Sequence, residues 1–139
     1  MYDSMKCRFC EIVQGSATAE VVYEDDNLVA FLDHAPLTSG HCLLIPRKHF
    51  ESLLEMPPDL LAFTFTRTQT LAMALMKAMG AEGMLIASNT VVQQTVPHFH
   101  VHLVPRWHDD ELGGFSPRKP VTTPLAEVAQ HLRRTMKLT

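Results

Sequence analysis

Three histidines alternate with apolar residues in the stretch Gln94-Thr95-Val96-Pro97-His98-Phe99-His100-Val101-His102-Leu103-Val104-Pro105-Arg106. Successive side chains of an extended strand point to opposite faces, so His98, His100 and His102 should share one face of a strand and apolar side chains the other. A row of imidazoles is costly to desolvate unless anions, a metal or hydrogen bonds occupy it. The alternation therefore predicts a strand that carries part of a binding site.

The hydrophobic spacing outside this stretch predicts a mixture of helices and strands. A helix is expected over 7–14, strands over 21–23, 28–32, 42–45, 84–87 and 98–105, a long helix over 59–79, and a C-terminal helix over 124–136 after a loop over 107–120. On the long helix, one largely apolar stripe should run through Leu61, Phe65, Thr68, Ala72, Leu75 and Met79. This order predicts an α+β fold with a mainly antiparallel sheet covered by a helix.

Length and composition predict one globular domain over 1–139, with its core at about 7–106 and a C-terminal loop and helix at 107–139. Hydrophobic residues make up 46% and charged residues 19% of the chain, and the formal charge is −3. This charge gives no general attraction to nucleic acid or to an anionic membrane. No segment has the length of a membrane span, and the first residues lack the apolar core of a signal peptide, so we expect a cytoplasmic protein.

Several separately spaced motifs together resemble the histidine-triad (HIT) family of nucleotide-binding proteins. The triad segment is preceded by Gln94-x-Val96, and the upstream motifs are Cys7-x-x-Cys10-x-Ile12, Val22-Tyr23-Glu24-Asp25-Asp26, Ala30-Phe31-x-Asp33 and Gly40-His41-x-Leu43-x-Ile45-Pro46-x-x-His49. The resemblance implies the HIT fold, with a five-stranded antiparallel sheet, one long helix, and short N-terminal and C-terminal helices. It also implies a homodimer with a continuous sheet across the interface.

The resemblance assigns catalytic roles to three residues. His100, the middle histidine, would attack the α-phosphorus of a nucleotide and form a transient nucleotidyl-imidazole. His102 would stabilise charge on the phosphate oxygens, and the Thr95 hydroxyl would serve the leaving group. His41 is expected to support the triad by hydrogen bonding or packing rather than by direct catalysis.

Substrate-binding residues follow from the same resemblance. Asp33 matches the carboxylate that accepts both ribose hydroxyls. Gln94 would meet the phosphate or the departing group, and Asn89 would either meet a phosphate oxygen or only form a turn. The purine would lie among the apolar side chains Phe9, Ile12 and Phe31, each of which would be equally natural in a core.

The loop Asn89-Thr90-Val91-Val92-Gln93-Gln94 departs from the family pattern, because many relatives have glycine immediately before the conserved glutamine. Glycine makes close approach of backbone to phosphate easy. The sequence therefore predicts weaker backbone capture of phosphate in this chain, and either the Gln93 side chain substitutes or the site is narrower.

Cys7 and Cys10 form a Cys-x-x-Cys pair, which fits either a metal site or a redox pair. Two ligands are too few for a tetrahedral structural zinc site, and no βαβ context supports a thioredoxin-like pair. In family members that keep the pair, the histidine of Pro-x-x-His and the first triad histidine complete the shell, which are His49 and His98 here. The resemblance thus implies one structural zinc per chain.

The function that follows is a nucleotidyl hydrolase or transferase acting at the α-phosphate of a purine nucleotide. Phosphoramidates and dinucleoside polyphosphates are the two natural substrate classes, and the sequence does not separate them. A nucleotide-binding or interaction module with vestigial turnover is the main alternative, although a pure binder has no need of a nucleophile. A zinc-dependent redox or regulatory protein would instead depend on Cys7 and Cys10 and not on His100.

Overall fold

The computed structural model describes residues 6–114 and 119–137 of the chain. The elements in chain order are α1 (Arg8–Gln14), β1 (Val21–Glu24), β2 (Leu28–Leu32), β3 (Cys42–Pro46), a 3₁₀ turn (Leu53–Glu55), α2 (Pro58–Met79), β4 (Gly83–Ala87), β5 (Val101–Arg106) and α3 (Leu125–Thr135). Every helix and strand expected from the sequence is present, and the 3₁₀ turn was not predicted. The α+β prediction is confirmed.

The five strands form one antiparallel sheet in the order β1-β2-β3-β5-β4. One face packs on α2 through a core that includes Leu44, Phe99 and Val101. The opposite face carries a second cluster, which includes Phe9 from α1 together with Phe31. Two separate apolar layers therefore hold the sheet, and α1 covers the face on which the triad lies.

A row of paired residues crosses that second face from β5 to β1. His102 pairs with Leu43, Leu43 with Phe31, and Phe31 with Val21. Neighbouring strands lie about 4.8 Å apart, so the row spans about 14 Å from the triad to the edge strand. This row therefore gives the distance across the sheet face from the triad to the edge strand β1.

The fifth strand begins at Val101, which corrects the predicted strand over 98–105. The three preceding residues are held by loops instead of the ladder: the Phe99 N–H donates to the carbonyl of Phe50, and the Ser88 hydroxyl donates to the carbonyl of His100. The pairing of β5 with β3 begins at Val101 and Leu44, although β3 itself continues to Pro46, and its pairing with β4 begins at His102 and Ala87, where β4 ends. The alternation of faces nevertheless continues through this extended segment.

The buried stripe of α2 differs from the predicted one. Phe65 is 39% exposed, whereas Thr64 and Leu71 are buried beside the predicted Thr68 and Ala72. The buried face of α2 is therefore turned about the helix axis relative to the apolar face that the sequence predicted. Its buried hydroxyls are satisfied within the helix, because Thr64 donates to the carbonyl of Leu60 and Thr68 to that of Thr64.

The C-terminal part agrees with the prediction where the structure describes it. Helix α3 has no buried residue, and its apolar side chains Leu125, Val128 and Leu132 are exposed. Part of the expected loop, residues 115–118, lies outside the described residues, as do residues 1–5 and 138–139. Within the described ranges, no helix is both long enough and apolar enough to cross a membrane.

Candidate active site and metal centre

A cavity of about 720 Å³ opens on the face of the sheet covered by α1. Seven residues that were predicted from the sequence line it: Phe9, Ile12, Phe31, Asp33, Thr95, His100 and His102. Phe9 packs edge-on against both Phe31 and His100, with ring centroids 5.3 and 5.1 Å apart. The fold therefore brings the predicted purine-binding and catalytic side chains into one cavity.

His100 is held with one defined nitrogen available for chemistry. Its Nδ1 lies 2.7 Å from the carbonyl oxygen of His98, and only a protonated Nδ1 can donate to that oxygen. In the neutral ring, Nε2 is therefore the nitrogen with the free lone pair. Burial lowers the pKa of His100 below its ordinary value, which keeps the ring neutral and nucleophilic near pH 7.

His102 has the opposite arrangement, which follows from a chain of hydrogen bonds through His41. The Leu37 N–H donates to Nδ1 of His41 over 3.1 Å, so the proton of a neutral His41 lies on Nε2. That Nε2 is 3.0 Å from Nδ1 of His102, which accepts the proton's hydrogen bond. His102 consequently carries its own proton on Nε2 and can donate it. Burial, together with the nearby His100 and His41, lowers the pKa of His102 to about 4.

Asp33 lies beside this chain. Its Oδ1 accepts the Ala35 N–H at 2.9 Å, and its Oδ2 is 3.6 Å from Nε2 of His41. Asp33, His41 and His102 lie close enough to hold a metal ion. Because the hydrogen bond from Leu37 places the proton on Nε2 of His41, that nitrogen has no lone pair for a metal. The group is better described as a hydrogen-bonded network with Oδ2 of Asp33 as its remaining acceptor.

A second cluster brings together Cys7, Cys10, His49 and His98, whose ligand atoms all lie within 4.8 Å of one another. Nδ1 of His98 is 3.5 Å from each cysteine Sγ and 3.2 Å from Nδ1 of His49, and Nδ1 of His49 is 3.3 Å from Sγ of Cys10. Nε2 of His98 donates to the carbonyl of Pro46, which leaves its Nδ1 lone pair free toward the cysteines. The cluster therefore has the donor set of a tetrahedral Cys₂His₂ site.

The electrostatics of this cluster also favour a cation. Burial, reinforced by the neighbouring Cys7, raises the pKa of Cys10 to about 12. Two thiolates in this place would repel each other, so they are stable only beside a positive charge. A divalent metal supplies that charge, and four ligands without an open position are typical of structural zinc. The residues thus fit a zinc ion.

The sequence model of the HIT domain matches residues 14–109, which contain the whole sheet, α2 and the triad. The chain belongs to the HIT family.

Three known proteins illustrate this membership. A solved structure from Streptococcus mutans is 40% identical, with a TM-score of 0.83, and the match covers 95% of this chain and 86% of that one. A zinc-bound HIT family protein from Mycobacterium smegmatis is 39% identical, with a TM-score of 0.75 and coverage of 84% and 86%. Adenylylsulfatase HINT3 of Arabidopsis thaliana is 34% identical over 106 residues, which cover 75% of this chain and 54% of that protein.

Two predicted binding residues of this HIT protein do not line the cavity. The side-chain amide of Asn89 donates to the carbonyl of Gln93, and that of Gln94 donates to the carbonyl of Glu51. The Gln94 side-chain oxygen also accepts the Val91 N–H. Both side chains thus brace the loop, and their predicted contact with phosphate stays a prediction.

The same loop retains a backbone suited to glycine although it contains none. Val91 has φ 69° and Gln93 has φ 62°, both in the left-handed region. Gln93 is the position at which many relatives have glycine. The loop therefore has non-glycine residues at two positions whose backbone favours glycine.

Sequence reasoning did not find four polar residues that line the cavity: Arg8, Thr18, Glu20 and His34. Arg8 lies between the two cysteines and carries no pattern of its own. Glu20 immediately precedes β1, and its carbonyl accepts the Leu32 N–H. The hairpin pairing of β1 with β2 was the one signal that could have placed Glu20 beside Phe31 and Asp33.

Proposed function

We propose that the chain is a nucleotidyl hydrolase or transferase that cleaves at the α-phosphate of purine nucleotides through a nucleotidyl-His100 intermediate. The observation that carries this proposal is the pair of opposite tautomers in one cavity. His100 has its proton on Nδ1 and a free Nε2, while His102 has its proton on Nε2. A nucleophile and a hydrogen-bond donor on adjacent side chains are what substitution at phosphorus requires.

In the first step Nε2 of His100 attacks the α-phosphorus. The N–P bond forms as the bond from phosphorus to the leaving group breaks, and the leaving group takes the electron pair and a proton. The Thr95 hydroxyl, which lines the same cavity, donates toward that departing atom. The Nε2–H of His102 donates to a phosphate oxygen and stabilises its growing charge.

In the second step water attacks the same phosphorus and the N–P bond breaks, and the proton of the water restores the Thr95 hydroxyl that protonated the leaving group in the first step. The electron pair returns to Nε2 of His100, and the nucleoside monophosphate leaves. If an acceptor other than water enters, the same intermediate gives a transferase. His98 keeps the nucleophile in register throughout, because its carbonyl holds Nδ1 of His100.

The nucleoside would be positioned by the rest of the cavity. Oδ2 of Asp33 would accept the ribose hydroxyls, since Oδ1 is already engaged with the backbone of Ala35. The purine would lie against Phe9, Ile12 and Phe31, where apolar and aromatic walls favour a flat ring. Asn89 and Gln94 would serve the phosphate or leaving group after the loop rearranges around substrate.

Among substrates, nucleoside phosphoramidates and related nucleotide conjugates are proposed ahead of dinucleoside polyphosphates. The relative named adenylylsulfatase supports a conjugate with a small leaving group on the α-phosphate. The cavity of about 720 Å³ is of the size that holds one nucleotide-sized ligand.

Zinc would be held by Cys7, Cys10, His49 and His98 at one ion per chain. Its chemistry there would be a structural cross-link between the N-terminal segment and the sheet. These four side chains fix the position of α1, and with it Phe9 on the cavity wall.

We further propose a single domain, a homodimer and a cytoplasmic location. The apolar side chains of Met73 on α2 and Ile86 on the edge strand β4 are exposed, and a second copy could cover them. The described cysteines are free thiols or metal ligands, as expected in a reducing compartment.

A turnover panel tests the proposed function. Purified protein is given an adenosine phosphoramidate, a guanosine phosphoramidate and a dinucleoside tetraphosphate, and the release of nucleoside monophosphate is measured. We expect release from the phosphoramidates, its loss in His100→Ala, and its retention in the control His131→Ala, which changes an exposed histidine on α3. Turnover of the tetraphosphate alone would favour the alternative substrate class, and full activity of His100→Ala would refute the mechanism.

A further inference from the structure

Two opposite charges line the cavity without being used by the chemistry described above. Arg8 on α1 and Glu20 before β1 are both exposed lining residues. Neither side chain makes an ion pair or a hydrogen bond with any residue in the described ranges. A guanidinium and a carboxylate in one cavity are therefore free to bind a ligand.

Their position places them at the nucleobase end. The cross-sheet row begins at His102, passes Leu43 and Phe31, and ends at Val21, the neighbour of Glu20. With the α-phosphate at the triad and the ribose at Asp33, the base extends toward β1. Glu20 adjoins this end through the hydrogen bond from the Leu32 N–H to its carbonyl, and Arg8 adjoins it through Phe9.

The two charges match the edges of guanine better than those of adenine. One carboxylate can accept both N1–H and the 2-amino group of guanine, and one guanidinium can donate to O6 and N7. Adenine presents an unprotonated N1 where guanine presents N1–H. A carboxylate facing that nitrogen would set two acceptors against each other, so it would repel the wrong base as well as bind the right one.

We propose that Glu20 and Arg8 are specificity-determining residues that select guanine over adenine nucleotides. This inference rests on the proposed function, because it takes the triad to be the phosphate end of the cavity. The apolar walls bind either purine, and the two charges distinguish them. Thr18, which lines the same cavity, offers a further hydroxyl to the base.

Calorimetric titration with three nucleoside monophosphates tests the inference without turnover. GMP should bind wild-type protein about tenfold more tightly than AMP, as expected for one good bidentate contact. IMP, which keeps O6 and N1–H but lacks the 2-amino group, should lie between them.

Two variants assign the preference to its residues. Glu20→Gln should weaken GMP binding about tenfold and strengthen AMP binding by no more than about twofold, because the repulsion of adenine N1 is relieved, and the preference is thereby removed. Arg8→Gln should weaken GMP and IMP alike, since both carry O6 and N7. Glu24→Gln is the matched control, because it neutralises an exposed carboxylate at the other end of β1 outside the cavity wall. Its affinities should equal those of wild type.

Equal affinity of wild type for GMP and AMP would overturn the inference, as would an equal loss of all three ligands in Glu20→Gln. Those results would leave the proposed function standing, because a purine nucleotide would still bind. Failure of all three monophosphates to bind folded wild-type protein would instead remove the proposed function, and the selectivity with it.

Discussion

Replacing Val91 by glycine should stabilise this protein, although most substitutions of valine by glycine destabilise. Val91 has φ 69°, in a region that β-branched residues rarely adopt. The neighbouring Val92 has no such backbone and serves as a matched control, because the two side chains are 75% and 78% exposed. The two variants therefore lose the same atoms from almost equal environments.

The magnitude follows from two opposing terms. A left-handed conformation costs an L-residue about 1–2 kcal/mol, which glycine removes at position 91. Glycine also gives the unfolded chain more freedom, which costs about 0.4–1 kcal/mol at either position. Val91→Gly should thus gain about 0–1.6 kcal/mol, and Val92→Gly should lose about 0.4–1 kcal/mol. The hydrogen bond from the Val91 N–H to the Gln94 side-chain oxygen uses no Val91 side-chain atom and survives the change.

Thermal and urea unfolding of both variants measure this difference. For a chain of this size 1 kcal/mol corresponds to about 2–4 °C in Tm, so Val91→Gly should melt about 2–8 °C above Val92→Gly. Equal melting temperatures, or a lower one for Val91→Gly, would refute the assignment of strain to this loop. Gln93→Gly, at φ 62°, gives an independent repeat of the same comparison.

Three further predictions concern metal, acid and assembly. Metal analysis should give about one zinc per chain, and the double change Cys7→Ser with Cys10→Ser should abolish zinc binding. Removal of zinc by a chelator should lower Tm while turnover persists at low temperature, and an unchanged Tm of the zinc-free protein would contradict the structural role. The free energy of unfolding should fall as pH drops from about 6.5 to about 4, because His102 is protonated near pH 6.5 in the unfolded chain and only near pH 4 in the folded chain. Denaturation measured across this range should show a shallower fall for His102→Gln, and an increase in stability toward acid would contradict the lowered pKa of His102. Light scattering at micromolar concentration should give a dimer mass, and a monomer would contradict the proposed interface.

The elements that the sequence predicted well are those whose pattern is local. The alternation at His98, His100 and His102 predicted their common face, whereas the meeting of Cys7 and Cys10 with His49 and His98 is a long-range contact that came from the family resemblance. The long helix was placed within one residue of its observed bounds, since apolar spacing and Gly80 mark its end. The spacing of residues along the chain is sufficient to predict a feature that depends on one segment alone, such as the bounds of a helix or the common face of a strand.

The features that sequence missed depend on tertiary partners. The start of β5 at Val101 depends on where its pairing with Leu44 of β3 and Ala87 of β4 begins, which no pattern within 98–105 reveals. The exposure of Phe65 depends on which side of α2 meets the sheet. Arg8 and Glu20 enter the cavity only because α1 and the first hairpin lie side by side, and a lone arginine or glutamate has no signature in sequence.

The most direct test of the nucleotidyl-histidine mechanism is identification of the covalent intermediate. Wild-type protein is mixed with a nucleoside phosphoramidate, quenched in alkali at millisecond intervals, digested and mapped by mass spectrometry. The mechanism predicts a transient nucleotidyl mass on the peptide at His100, absent from His100→Ala and present in His131→Ala. A nucleotidyl mass on any other residue, or undiminished turnover by folded His100→Ala, would contradict it.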